Sequence, residues 1–128
     1  MMMLSPKIVF RGESAFVDNF KLFDVVLNNG ITLRVAIGGD GDKTPVLMVH
    51  GHPHTHVIWR KVAPALAKDR KVILVDLRGY GDSSKPESMP DHRPYSKREM
   101  ACDLQLMLQT LGIEQCDFVG HDLSLIHI

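Results

Sequence analysis

The sequence carries no surplus of either charge: fifteen Lys and Arg residues balance fifteen Asp and Glu. Without a field of one sign there is little to draw in the phosphate backbone of a nucleic acid or an anionic membrane surface, and neither is expected as a partner. No apolar run approaches the roughly 20 residues of a membrane-spanning helix. The opening Met1-Met2-Met3-Leu4-Ser5-Pro6-Lys7 also lacks the apolar core and small-residue cleavage site of a secretory leader. A cytoplasmic protein is therefore expected. Cysteine is scarce, and Cys102 and Cys116 lack the close paired spacing of a zinc knuckle or redox motif, which leaves two buried thiols in a reducing compartment. Internal repeats and low-complexity segments are missing as well, which excludes solenoids and arrays. What remains, at 45% hydrophobic and 23% charged over 128 residues, is material for one globular core.

Residues 1–19 show no clear period and are expected to form a loosely attached arm. Residues 20–27 and 31–37 flank Asn28-Asn29-Gly30, an Asn-Gly turn that predicts a β-hairpin because it accepts the positive φ a tight turn needs. The turn Gly38-Gly39-Asp40-Gly41-Asp42 leads into a further strand with no helix behind it, so its glycines make a poor phosphate cradle. Val46-Leu47-Met48-Val49 and Val72-Ile73-Leu74-Val75 are apolar without alternation, as in strands covered on both faces. Between them residues 57–68 have helical spacing, with Pro64 imposing a kink or a late start. A second helix is specified by a Ser96/Glu99 capping box, a Tyr95–Met100 staple, an apolar stripe of Met100, Leu104, Leu108 and Leu111, and a stop at Gly112. A strand at residues 116–119 follows. A β-hairpin followed by strands alternating with helices predicts an α/β fold, its sheet mainly parallel.

Two stretches carry candidate chemistry. His50-Gly51-His52-Pro53-His54-Thr55-His56 places four histidines at alternate positions, a set able to bind a metal ion. No carboxylate within the run completes a ligand set, so no native metal site and no cofactor are expected. The same turn can aim the backbone amide of His52 into a cleft, where it would stabilise negative charge. The second stretch is Asp117-Phe118-Val119-Gly120-His121-Asp122, a short apolar run read as a buried strand. Asp122 at its end is either a helix N-cap or a side chain presented on a strained strand-to-helix elbow. Gly120 and Ser124, two positions either side, are the small residues an elbow requires.

Together these stretches resemble the first part of an α/β-hydrolase. The resemblance is carried by His50-Gly51-His52-Pro53, by the Trp59-to-Ala67 helix, by Asp76-Leu77-Arg78-Gly79-Tyr80-Gly81-Asp82-Ser83-Ser84-Lys85-Pro86 and by Val119-Gly120-His121-Asp122. Within that superfamily the chain is most similar to the haloacetate dehalogenase and epoxide hydrolase branch, whose nucleophile is Asp. The segment containing Pro90-Asp91-His92, Tyr95-Ser96, Arg98, Met100-Ala101 and Asp103 leans towards haloacetate dehalogenases. The resemblance implies that Asp122 is the nucleophile on a small-molecule substrate and that the backbone amides of His52 and Leu123 stabilise oxyanionic charge. An Arg directly after the nucleophile helps hold the substrate carboxylate in the dehalogenases; position 123 here is Leu. An epoxide hydrolase with the same nucleophile, a metal-dependent hydrolase using residues 50–56, and a non-catalytic α/β-hydrolase-like binding protein all stay open.

The resemblance also implies that the fold is cut at the elbow. The later strands, cap, relay acid and catalytic histidine of the family do not follow Asp122, and His127 lies too close to it to return as the base. The expected organisation is thus an arm at 1–19, a partial hydrolase core at 20–122 and a non-native tail at 123–128. The tail, Leu123-Ser124-Leu125-Ile126-His127-Ile128, matches one reading frame of a transposon end used in preparing sequencing libraries. Such a chain is expected to lack turnover, to fold poorly and to leave an apolar sheet edge open. Its oligomeric state is not legible.

Overall fold

Strand β4 (Lys43–Val49) is covered on both faces, and its sequence explains why. Val46, Leu47, Met48 and Val49 are all at least 97% buried, because successive side chains enter opposite layers. Leu47 and Val49 join the cluster that also holds Val25, Leu33, Ile73 and Val75. Val46 and Met48 join the one that holds Val17, Phe20, Val72 and Leu74. Each such side chain contributes roughly 1.5–3 kcal/mol of burial free energy. A computed structural model describes residues 6–50, 55–85 and 97–120 of the chain.

Among the described residues the elements run β1 (Lys7–Glu13), β2 (Lys21–Val26), β3 (Thr32–Gly38), β4, a single 3-10 turn (His56–Trp59), α1 (Ala63–Leu66), β5 (Arg70–Val75), α2 (Lys97–Thr110) and β6 (Asp117–Gly120). The sheet order is β1-β2-β3-β5-β4-β6. Pairings from β1 through β3 to β5 are antiparallel, whereas β4 is parallel to both β5 and β6. The expected α/β architecture, a hairpin followed by parallel strands with flanking helices, is therefore present.

The hairpin closes where expected. Leu27 N–H donates to the Ile31 carbonyl and Gly30 N–H to the Leu27 carbonyl, with Gly30 at a φ of 87°. Asn29 contributes its side chain, whose Oδ1 accepts from Ile31 N–H at 3.0 Å. The glycines at 39 and 41 serve close packing: a Cβ on either would lie 2.2 Å from a backbone oxygen, that of Arg70 or of Asp69. Pro64 gives a late start, with α1 beginning only after the 3-10 turn. At the end of α2, Gly112 N–H donates to Gln109 and Ile113 N–H to Leu108, the paired bonds of a left-handed glycine stop.

Four expectations need correcting. Residues 7–13 of the supposed loose arm form β1, paired along β2 through a bulge between Phe10 and Gly12. Ile8 and Phe10 are 45% and 57% exposed, so the strand rests on backbone pairing more than on burial and leaves no apolar period to read. The buried face of α2 centres on Met100, Asp103, Leu104 and Met107, while Leu108 and Leu111 lie at its margin. Cys102, opposite that face, is exposed, and Cys116 is only partly buried. Finally, β6 is an edge strand, with Phe118 39% and Val119 38% exposed, since among the described residues it pairs with β4 alone. Ser96 and Tyr95, expected to start α2, lie outside the described residues.

Candidate functional site

Three parallel strands end at one level. Val49 is in register with Val75 on one side and with Gly120 on the other, so the chain leaves β4, β5 and β6 together at their carboxyl ends. The sequence runs β4, β5, β6, yet β4 sits in the middle. The β4–β5 connection includes α1, which packs with the Val46–Met48 layer, and the β5–β6 connection includes α2, which packs with the Leu47–Val49 layer. In open α/β sheets this reversal opens a crevice at the strand ends, the usual place for a ligand. His52, Asp122 and Leu123, the three site residues expected from sequence, lie outside the described residues. So do Gly51, Pro53, His54, His121 and Ser124. The residues that frame them are described.

His50 follows β4 directly and is fully buried. Its Nε2 accepts the Leu77 N–H at 3.0 Å, an arrangement that in the neutral ring leaves the proton on Nδ1. The Tyr80 ring packs edge-on at a centroid distance of 5.0 Å, and burial raises the Tyr80 hydroxyl pKa.

His56 and Asp76 form the second pair. The His56 Nδ1–H donates to Asp76 Oδ1 at 2.7 Å and the His56 backbone N–H to the same oxygen at 2.8 Å. Oδ2 accepts from Asp82 N–H at 3.2 Å. Gly81, at a φ of 52°, lies so close that a Cβ there would come within 2.2 Å of Oδ2. Burial alone would raise the Asp76 carboxyl, but the hydrogen bonds from His56 and Asp82 outweigh it and hold the pKa low. Asp24 is likewise lowered: partial burial opposes ionisation, and the guanidinium groups of Arg34 and Arg11, each 2.7 Å away, prevail.

These two depressed carboxyls set an acid limit. The stability they contribute is complete above about pH 4, the ordinary carboxylate value, and is lost as pH falls through their lowered folded values. Circular dichroism across an acid titration is expected to show unfolding setting in below about pH 4, with Asp24→Asn making the decline shallower. A variant with the same pH slope as the wild type would contradict this assignment.

A third cluster ties the loop after β5 to α2. Arg78 donates from Nε and Nη2 to the two carboxylate oxygens of Asp103 at 2.6 and 2.7 Å, and Asn29 Nδ2 adds a bond at 3.1 Å. Donating hydrogen bonds to the Asp103 carboxylate raises the Arg78 pKa against the cost of burial.

The partners of Asp24, Asp76 and Asp103 were not legible in the sequence. A signal for one existed: Asp103 sits among Met100, Leu104 and Met107, and an acid on an apolar stripe must find a partner. As for metal ligation, His50 and His56 each commit a ring nitrogen to a protein hydrogen bond. Among the described residues no group of three or more His, Cys, Asp or Glu side chains is placed to hold a metal ion. No helix among them is long and apolar enough to cross a membrane.

The chain that carries buried His50 after one central strand, and the sequence Gly120-His121-Asp122 at and after the end of its neighbour, is similar to known proteins. The chain is 46% identical over 92 residues to a fluoroacetate dehalogenase from Burkholderia sp., covering 72% of this chain and 30% of that protein. It is 38% identical over 94 residues to a soluble epoxide hydrolase from Corynebacterium sp. (strain C12), covering 73% and 30%. A crystal structure from Salmonella enterica, provisionally assigned as an acyltransferase, superposes with a TM-score of 0.85 at 55% identity, covering 89% of this chain and 37% of that one. The chain thus spans about a third of the length of these three proteins. The alpha/beta hydrolase fold profile matches residues 44–123, and the chain belongs to that family.

Proposed function

We propose that the protein carrying these residues is a hydrolase that breaks a carbon–halogen bond in a small haloacid through Asp122. The observation that carries this reading is the 46% identity to a fluoroacetate dehalogenase over 92 residues. The register of Val49 with Gly120 supports it, because the chain leaving β6 towards Asp122 starts beside the chain leaving β4 towards His52.

The chemistry suits a carboxylate nucleophile. An Asp122 oxygen attacks the carbon bearing the halogen; the new C–O bond forms as the C–X bond breaks, and halide departs with the bonding electrons. Water, losing a proton to a histidine outside this segment, then adds to the carboxyl carbon of the resulting ester. The N–H groups of His52 and Leu123 stabilise the oxyanion that forms. Collapse of the tetrahedral intermediate releases the hydroxy acid and restores the Asp122 carboxylate.

The 38% identity to a soluble epoxide hydrolase favours a second reading, in which the same nucleophile opens an epoxide and no partner for a substrate carboxylate is required. The full-length protein, assayed with fluoroacetate, chloroacetate and styrene oxide, distinguishes the two. Halide release supports the dehalogenase, diol formation alone supports the epoxide hydrolase, and neither product sinks both. The 128-residue chain is expected to release no halide by itself, since it spans about a third of its relatives; turnover by that chain would overturn this expectation.

A further inference from the structure

We infer that the cleft between the turn after β1 and the His56–Asp76 pair is a binding site for a small organic ammonium ion with an apolar body. The site goes beyond the proposed hydrolase reaction and uses none of the residues assigned to it.

The cleft has a volume of about 310 Å³, at the small end of the roughly 300–1,000 Å³ of ligand pockets. It is walled by the end of β1 and the turn after it, by Leu22 of β2 and Arg34 of β3, by residues 55–57 and by the loop after β5. No lining residue belongs to β4 or β6, so the cleft lies apart from the ends of those two strands.

Two polar groups on its wall are unmet. The ionised Asp76 carboxylate accepts the His56 Nδ1–H, which in the neutral ring leaves Nε2 as a bare acceptor. His56 is only 6% exposed, and its Nε2 is buried without a hydrogen-bond partner among the described residues. Such an acceptor is costly unless something donates to it. Glu13 is exposed, and its carboxylate makes no hydrogen bond or ion pair among the described residues. Both groups accept and neither donates. Among the described lining residues Arg34 alone is a cation, and its guanidinium is already committed to Asp24 at 2.7 Å and to Asp82 at 3.3 Å.

A molecule that complements this wall therefore brings N–H donors and positive charge. Ala15, Phe16, Leu22 and Val57 line the rest of the cleft and suit a hydrocarbon or aromatic body. Phe16 is 67% exposed, so its ring can give way to admit an ammonium group towards Nε2 without disturbing the core, and its face then attracts the cation. An anion would meet Glu13 and the ionised Asp76 and be repelled. A neutral molecule would leave the Glu13 carboxylate unpaired.

The probe is benzylammonium, with benzyl alcohol and phenylacetate as neutral and anionic counterparts of similar size. Full-length protein carrying heavy nitrogen in its histidine rings is titrated with each and followed by nuclear magnetic resonance. Benzylammonium is expected to saturate at one equivalent and to move the His56 Nε2 resonance as that nitrogen takes up a hydrogen bond, while the Nδ1 resonance, held by Asp76, stays nearly fixed. Benzyl alcohol should bind about fivefold more weakly or worse, for want of the charge, and phenylacetate should leave the resonance in place. Glu13→Gln, at an exposed position where folding is not at stake, should weaken benzylammonium roughly two- to fivefold, the scale of one exposed ion pair. Phe16→Ala should weaken it by about as much through loss of the ring face. Halide or diol formation by Glu13→Gln is expected to equal that of the wild type, and its loss would mean that the position serves the reaction instead. An Nε2 resonance unmoved at saturation, or a response that never saturates, overturns the site. Phenylacetate binding as well as benzylammonium, or an affinity unchanged in both variants, overturns the ammonium assignment.

Discussion

Asp122→Ala in the full-length protein is expected to lower turnover by roughly four orders of magnitude or more, the scale seen when a covalent nucleophile is removed. Removing the carboxylate deletes the attacking atom, and water in its place must displace halide without a preformed contact. The mechanism makes a second, sharper expectation. With enzyme in excess over substrate in heavy-oxygen water, hydroxide adds to the Asp122 carboxyl carbon, so the label enters the Asp122 peptide. The first product then carries an oxygen that began in the carboxylate. Direct attack of water on the substrate carbon would put the label in the product and none in the protein. Mass spectrometry of the peptide containing Asp122 therefore decides between nucleophile and general base, and an unlabelled peptide after single turnover would exclude the ester. The helix N-cap alternative for Asp122 would cost only about 1 kcal/mol of stability on substitution and leave chemistry largely intact.

Asp103→Ala is expected to produce the largest loss of stability, about 3–5 kcal/mol. The fork of Arg78 meets both oxygens of Asp103, and the two side chains are 6% and 1% exposed. Removing the acid strands a guanidinium that cannot be neutralised, and it removes the acceptor for Asn29 at the hairpin turn. Glu99, 4.0 Å from Arg78 and partly exposed, takes up part of the charge and places the outcome near the lower bound. Thermal unfolding of the full-length protein measures it. The double variant Arg78→Met with Asp103→Leu should recover more than half of the loss, because a buried pair replaced by apolar groups of similar volume leaves no orphan charge. Equal losses in the single and double variants would mean that packing, and not the unpaired charge, sets the cost.

Both sites depend on contacts that differ in how far they are visible along the chain. The hairpin at Asn28-Asn29-Gly30, the glycine stop at Gly112 and the late start of α1 at Pro64 were readable because each is decided within a few residues: by a positive φ, by paired terminal carbonyls, by a missing N–H. The buried central strands were readable for a different reason. Val46 to Val49 and Val72 to Val75 have no polar side to turn to water, so both faces had to be covered. Asp103 was readable only as an anomaly. Its partner lies 25 residues away, and nothing between them announces the pairing.

The sequence by itself determined the alternation of strands and helices, the turns between them, and the motifs by which the chain resembles α/β-hydrolases. Only the tertiary structure decided that Lys7–Glu13 is an edge strand, that β4 lies between β5 and β6, and that Asp76 receives His56. The physical reason is the same in each case. Local preferences act between neighbours in sequence, whereas sheet order and the pairing of buried charges are set by which distant segments can cover one another's apolar faces and satisfy one another's hydrogen bonds at once.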